Sequence, residues 1–198
     1  VTYPKLILAS QSPRRRSLLR QVGFKFTVQP SNVEERFTRR HSPRANARRI
    51  ALEKALAVAA STRSGIVIGA DTIVVLKGRI LGKPRSASEA RSMLRSLSGH
   101  QHAVFTGFAL VDAATRRYVV ESEMTLVRFR PIAEREIEEY VASGSPMDKA
   151  GAYGIQDDYG ALFVERVEGC FYNVVGFPLT RFYLTLQQFL KKTNHNHR

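Results

Sequence analysis

Arg14 and Arg15 follow Ser12-Pro13 directly, with Arg16 behind them. Ser12 suits a helix N-cap and Pro13 the first helical position, so the spacing predicts arginines in the first turn of a helix. Cations are disfavoured there, because the helix dipole is positive at that end. Free N–H groups, the dipole and two guanidinium forks together suit a multiply charged anion. A solvated helix end is the simpler alternative, but it leaves the repulsion uncompensated. The other groups fitted to phosphate chemistry are Lys54, Lys83, Asp71 and the Glu34-Glu35 pair. Phosphoryl transfer relies on positioning and charge neutralisation, with a divalent ion bridging oxygens. A carboxylate can hold that ion or take a proton from the attacking water.

The elements that must position these groups read in order. Leu6-Ile7-Leu8 is short enough for one buried strand, and the helix after it closes near Gly23. Residues 25–29 alternate as a half-buried strand, and residues 30–41 are polar and irregular. Ser42-Pro43 repeats the cap-plus-proline start of a helix to about Thr62, with Ala47, Ala51, Ala55 and Ala59 on one face. Lys54 lies one turn from Ile50 and Val58, on or beside the inward stripe, where snorkelling is the plainer reading. Residues 65–70 predict a buried strand with Asp71-Thr72 at its end, where ligand clefts open in α/β sheets. Gly69 and Ala70 leave room for something to approach, and the chain continues as strand from Ile73 to Leu76, so Asp71 has no helix to cap.

Lys77-Gly78 predicts a hairpin returning through Ile80-Leu81 to Gly82-Lys83-Pro84, whose spacing is not that of a Walker A loop. Ser86 and Glu89 form a capping box for a helix to Leu97. Strands are expected over residues 102–112, 115–130 and 161–167, and a short helix over 133–142. His100 and His102 read as an exposed loop pair rather than a metal site. Residues 143–160 are glycine-rich, aperiodic and long for a plain connection, which marks a functional loop. Leu179, Phe182, Leu186, Phe189 and Leu190 give a last helix a core-facing stripe; residues 191–198 read as a frayed tail with His195 and His197 incidental. The fold class is α/β, a mixed twisted sheet flanked by helices.

With 198 residues, 43% of them hydrophobic, the chain can bury a core as one domain or two packed lobes. No apolar run reaches the length of a membrane helix, the N-terminus lacks a secretory pattern, and Cys170 is alone, so a reducing cytoplasm is expected. The net charge is +14, and residues 1–63 carry 14 basic against 3 acidic side chains. Such a field favours nucleic acid, an acidic membrane surface or phosphorylated small molecules without choosing among them.

LASQSPRR at 8–15, IGADTIV at 68–74, LGKP at 81–84, SGHQHAVFTG at 98–107, MDKAGAYGIQ at 147–156 and NVVGFPL at 173–179 stand in the order of one family's motifs. Through them the chain, from Leu6 to Leu190, resembles the Maf family of nucleoside triphosphate pyrophosphatases. The resemblance implies an inosine-triphosphatase-like fold over residues 1–190 with a cleft between two lobes, a homodimer, and a divalent cation, Mg or Mn. It implies water attack at the alpha phosphate of a nucleoside triphosphate, releasing monophosphate and pyrophosphate. Ser10, Arg14 and Arg15 would hold the phosphates, with Lys54 and Lys83 converging on them. Asp71 would be the general base or a metal ligand, and Glu35 a carboxylate near the metal. Arg14, Thr72 and Gln156 match positions linked to substrate choice, and residues 148–156 resemble the branch acting on dTTP and UTP. An amide such as Gln156 can pair with the imide edge shared by uracil and thymine. The competing reading from another class is a basic nucleic-acid-binding protein with reduced or no catalysis; intact Asp71, Lys54 and Lys83 argue against it.

Overall fold

The structure is a computed structural model that describes residues 3–38, 40–156 and 158–194. The unbroken apolar run at the start forms β1 (Leu6–Leu8), buried along its length. Ser12 Oγ accepts the Arg15 N–H at 3.4 Å and Pro13 opens α1 (Pro13–Gln21). Gly23, at a φ of +81°, turns the chain so that its N–H and that of Phe24 donate to the Arg20 and Leu19 carbonyls. β2 (Phe26–Val28) and β3 (Ile66–Leu76) then pair parallel with β1 on either side of it. Between them runs α2 (Pro43–Ala60), capped by Ser42 Oγ on the Ala45 N–H at 3.2 Å.

Lys77 and Gly78, with φ of +47° and +77°, form the tight turn into β4 (Arg79–Leu81), antiparallel to β3. The chain continues through α3 (Ala87–Leu97), β5 (Gln101–Asp112), β6 (Tyr118–Phe129), α4 (Glu134–Ala142), β7 (Val164–Glu168), α5 (Phe171–Val175) and α6 (Leu179–Asn194). The strand order is β2-β1-β3-β5-β6-β7, with β4 attached to β3, and β7 antiparallel to β6. This is the mixed α/β sheet with helices expected from the sequence. Three short 3-10 helices, Ser145–Asp148, Ala150–Ala152 and Asp158–Phe163, occupy the glycine-rich segment. Among the described residues no helix is long and apolar enough to cross a membrane.

By contact the chain divides into two compact units. The first comprises Val1–Asp71, Thr106–Glu123 and Gly176–Arg198; the second comprises Thr72–Phe105 and Met124–Val175. In the first, Ile7, Ala9, Val67, Ala109 and Val111 pack with Ala55, Val58 and Ala59 of α2. Two glycines decide how close that helix comes. A Cβ on Gly69 would fall 2.1 Å from the Ala51 carbonyl oxygen, and one on Gly107 2.4 Å from that of Ala47. The room left at Gly69 is therefore filled by the backbone of α2 rather than by a ligand. Phe108, Phe177 and Phe182 close the first unit's core with ring centroids 4.9 to 5.9 Å apart. In the second unit Phe129, Tyr140, Tyr153 and Phe163 are buried together.

Several local expectations change. Asp71 is not at a strand end but in the middle of β3, between the part paired with β1 through Ile68 and the part paired with β4 from Val74. The strand expected over 161–167 begins only at Val164, because residues up to Phe163 are wound as 3-10 helix. His102 is not exposed: it is an inward residue of β5, 2% exposed, and burial holds its imidazole down at about 4. Glu89 accepts from the Arg85 N–H at 2.7 Å, one residue before the Ser86 cap. α6 continues to Asn194; His195 and His197 lie outside the described residues.

The close seat of α2 gives a test. Gly69→Ala should cost about 3 kcal/mol or more, because the new methyl meets helix backbone that cannot rotate aside. Urea unfolding of this variant beside Gly78→Ala checks it, since a Cβ at Gly78 meets nothing within 4 Å and only the turn's left-handed φ is strained. Equal losses at both positions would contradict the close approach.

Candidate active site

The seating of α2 against β3 carries Lys54 inward, one helical turn from Ala51 and Val58 and level with the residues that follow Gly69. The lysine is 6% exposed and its ammonium donates to Asp71 Oδ1 at 2.7 Å, to Glu35 Oε1 at 2.7 Å and to the Ala70 carbonyl at 3.4 Å. It is therefore no snorkelling side chain. Asp71 is 2% exposed, and its second oxygen, Oδ2, is buried without a hydrogen-bond partner. Burial pushes the Asp71 carboxyl above the usual range, Lys54 pulls it back, Glu35 pushes it further up and Arg15 opposes. A carboxylate raised in this way, with a buried oxygen lacking a hydrogen-bond partner, is suited to taking a proton.

Glu35 comes from an irregular segment and needs fixing. Asn46, fully buried on α2, does this by donating to the Thr38 and His41 carbonyls at 2.9 and 3.1 Å and accepting the Thr38 N–H at 3.1 Å. Arg49, three residues on, donates to the Arg36 carbonyl next to Glu35 and pairs with Glu53 at 2.7 Å. Nothing in the sequence singled out Asn46. Its signal was an amide on the inward stripe of an alanine-rich helix, where a polar side chain needs internal partners.

Ser10 leaves the C-terminal end of β1, just past the Ala9 N–H that donates to the Ile68 carbonyl at 2.8 Å. Its hydroxyl accepts from Arg15 Nη1 at 3.0 Å and from the Ser12 N–H at 3.2 Å. Arg15 Nε donates to the Gly176 carbonyl at 3.0 Å, and the residue is buried. Burial lowers the Arg15 guanidinium, the charges of Asp71 and Glu35 oppose that, and Arg14 adds to the lowering. Arg15 thus shares a field with the Lys54 cluster and is held by the fold, whereas Arg14 is only half-buried in the same turn. The two arginines expected as equals differ in kind.

Thr72 follows Asp71 on β3 and, by strand alternation, takes the opposite face. Lys83 and Gln156 belong to the second unit, both exposed. The Gly151 N–H donates to the Gly82 carbonyl at 3.0 Å, which seats the glycine-rich segment beside Lys83. The expected site residues that the structure gathers are Ser10, Arg15, Glu35, Lys54 and Asp71, with Arg14 on the same helix turn.

Among the described residues no group of three or more His, Cys, Asp or Glu side chains could hold a metal ion by itself. Asp71 and Glu35 nevertheless fit a cation of the Mg type, which takes one or two carboxylates and fills its shell with phosphate oxygens and water. The unpaired Asp71 Oδ2 is the oxygen left for that role or for a water.

The contrast between the arginines is measurable. Arg15→Ala leaves the buried Gly176 carbonyl without its guanidinium and should cost about 1–3 kcal/mol in urea unfolding. Arg14→Ala should cost much less, since it removes a cation from the positive end of α1. Losses of equal size would contradict a structural share for Arg15.

The sequence pattern described as Maf-like protein matches residues 5–189. A dTTP/UTP pyrophosphatase of Moorella thermoacetica is 51% identical over 177 residues, 89% of this chain and 91% of that one. One of Salinibacter ruber is 49% identical over 182 residues, covering 92% and 89%. One of Pelotomaculum thermopropionicum is 46% identical over 192 residues, covering 97% and 98%. The family motifs in this chain include Ser10, Arg14, Arg15, Asp71, Thr72, Lys83 and Gln156. The chain belongs to the Maf family.

Proposed function

We propose that this protein hydrolyses nucleoside triphosphates, dTTP and UTP foremost, to the monophosphate and pyrophosphate. Modified pyrimidine triphosphates fall within the same reading. The observation that carries it is the buried Lys54 ammonium gripping Asp71 and Glu35, with one Asp71 oxygen left unpaired. The names of the similar proteins from three organisms support the substrate class.

In this reading Asp71 Oδ2 takes the proton of the water that attacks the alpha phosphorus. Ser10, Arg14 and Arg15 bind phosphate oxygens, Lys54 orients Asp71 and neutralises charge, and Lys83 is a further phosphate ligand. Asp71 and Glu35 would also hold a divalent cation, Mg or Mn, which supplies charge neutralisation on the phosphate oxygens. Gln156 reads the imide edge of uracil or thymine, and Thr72 assists substrate choice. A homodimer and a cytoplasmic home complete the proposal; the lone Cys170 is in keeping with the latter.

Pyrophosphate release from dTTP, UTP, CTP and GTP tests this on the wild type, Asp71→Asn and Gln156→Ala. The wild type should prefer dTTP and UTP and stop when the cation is chelated. Asp71→Asn should lose at least ~10² in rate while still binding nucleotide. Gln156→Ala should lose roughly 5- to 150-fold on dTTP and UTP and much less on the other two. Near-normal turnover by Asp71→Asn would remove the general base, and a uniform loss in Gln156→Ala would remove the base reader.

A further inference from the structure

The segment that carries Gln156 is wound against its own preferences. Gly151 and Ala152 adopt consecutive left-handed conformations, with φ of +72° and +62°. For alanine that region is uncommon, and it persists only where the surroundings over-determine it. One fastening sits on the strained pair and a second follows it. Gly151 is tied to the Gly82 carbonyl and lies so near Val74 that a Cβ would meet its Cγ1 at 3.0 Å. The Gly154 N–H donates to the Tyr140 hydroxyl at 3.3 Å.

Between them stands Tyr153. Its ring is buried edge-to-face against His102 and Phe129, with centroids 5.3 and 4.7 Å away. Its hydroxyl shares a 2.8 Å hydrogen bond with His102 Nε2. A phenylalanine paired with an apolar residue would fill the same volume at little cost to stability, because both buried polar groups would disappear together. A polar pair is costlier to bury, and what it adds is direction: it fixes the ring and hence the backbone that leads, three residues later, to Gln156.

Resting on the reading of Gln156 given above, we infer that the His102–Tyr153 pair is a positioning device for Gln156, setting how well the pyrimidine edge is read rather than how fast the phosphate is cut. Neither residue touches substrate in this account. The Lys83 turn meets this segment through the Gly151 N–H on the Gly82 carbonyl, a backbone contact that uses neither side chain of the pair and that Tyr153→Phe leaves in place.

Steady-state kinetics on the four nucleotides, with Tyr153→Phe, Gln156→Ala and the double variant, tests this. Tyr153→Phe keeps the ring in place and should raise KM for dTTP and UTP about 5- to 30-fold, with kcat changed by no more than about twofold. CTP and GTP should be affected little. In the Gln156→Ala background Tyr153→Phe should have no further effect, the non-additivity expected when one residue acts through another. His102→Gln, which keeps a hydrogen-bonding partner for the tyrosine, should retain more discrimination than His102→Leu. An equal loss on all four nucleotides, or a Tyr153→Phe effect that persists without Gln156, would reduce the pair to a structural role and overturn the inference. If Gln156→Ala alone loses all four nucleotides equally, the base-reading role itself fails and the inference falls with it. Selective loss in Gln156→Ala beside unselective loss in Tyr153→Phe would sink only the inference.

Discussion

One buried ammonium between two carboxylates governs this molecule. Taking a lysine and an aspartate out of water is costly, and the attraction between them repays it only when the geometry is close and the remaining polar atoms are met. Lys54 meets the demand for close geometry with contacts at 2.7 Å to Asp71 and to Glu35, while Asp71 Oδ2 is left without a partner. Much else in the first unit serves to make those distances possible. Gly69 and Gly107 let α2 lie against the sheet, the alanine face of that helix fills the gap without holding it off, and Asn46 pins the loop that delivers Glu35. Asp71 Oδ2, which the cluster leaves unmet, is the oxygen that the proposed chemistry would use. Losing either carboxylate would leave the lysine charge poorly compensated, so the same contacts bear on folding and on reactivity.

The basic excess acquires a meaning in this setting. A triphosphate brings several negative charges, and a site built around Asp71 and Glu35 would have to outweigh them. Arg15 is committed in part to the fold, through Ser10 and the Gly176 carbonyl, and this rigidity is what a phosphate ligand needs if it is to hold one geometry. Arg14, less buried, is the more adaptable neighbour. A division between a buried, fold-held arginine and a half-buried one answers the odd placement of cations at the start of α1 better than two interchangeable forks.

Much of this was legible in the sequence because the signals were local. Cap serines at 12, 42 and 86, prolines at 13 and 43, and the alanine face of α2 marked three helices, whereas the spacing of Lys54 favoured snorkelling and only the family resemblance pointed it inward. What escaped depended on partners distant in the chain. Asp71 looked like a strand end because the buried run of residues 65–70 stops there; β3 instead runs on from its pairing with β1 through Ile68 to its pairing with β4 from Val74, and no local pattern announces that exchange. His102 looked exposed because two histidines flanking a glutamine resemble a polar turn. Its burial follows from Tyr153, fifty-one residues later, which meets it with a hydroxyl. α5 is five residues long, too short for a period to show, and the split between Arg14 and Arg15 needed Gly176, on the far side of the sequence.

The central claim is that water, deprotonated at Asp71, attacks the alpha phosphorus and expels pyrophosphate. Hydrolysis of dTTP in water labelled with heavy oxygen, followed by mass analysis of both products, tests it most directly. The account predicts one labelled oxygen in the monophosphate and none in the pyrophosphate. Label in the pyrophosphate, or release of single phosphates, would place the attack at another phosphorus and contradict it.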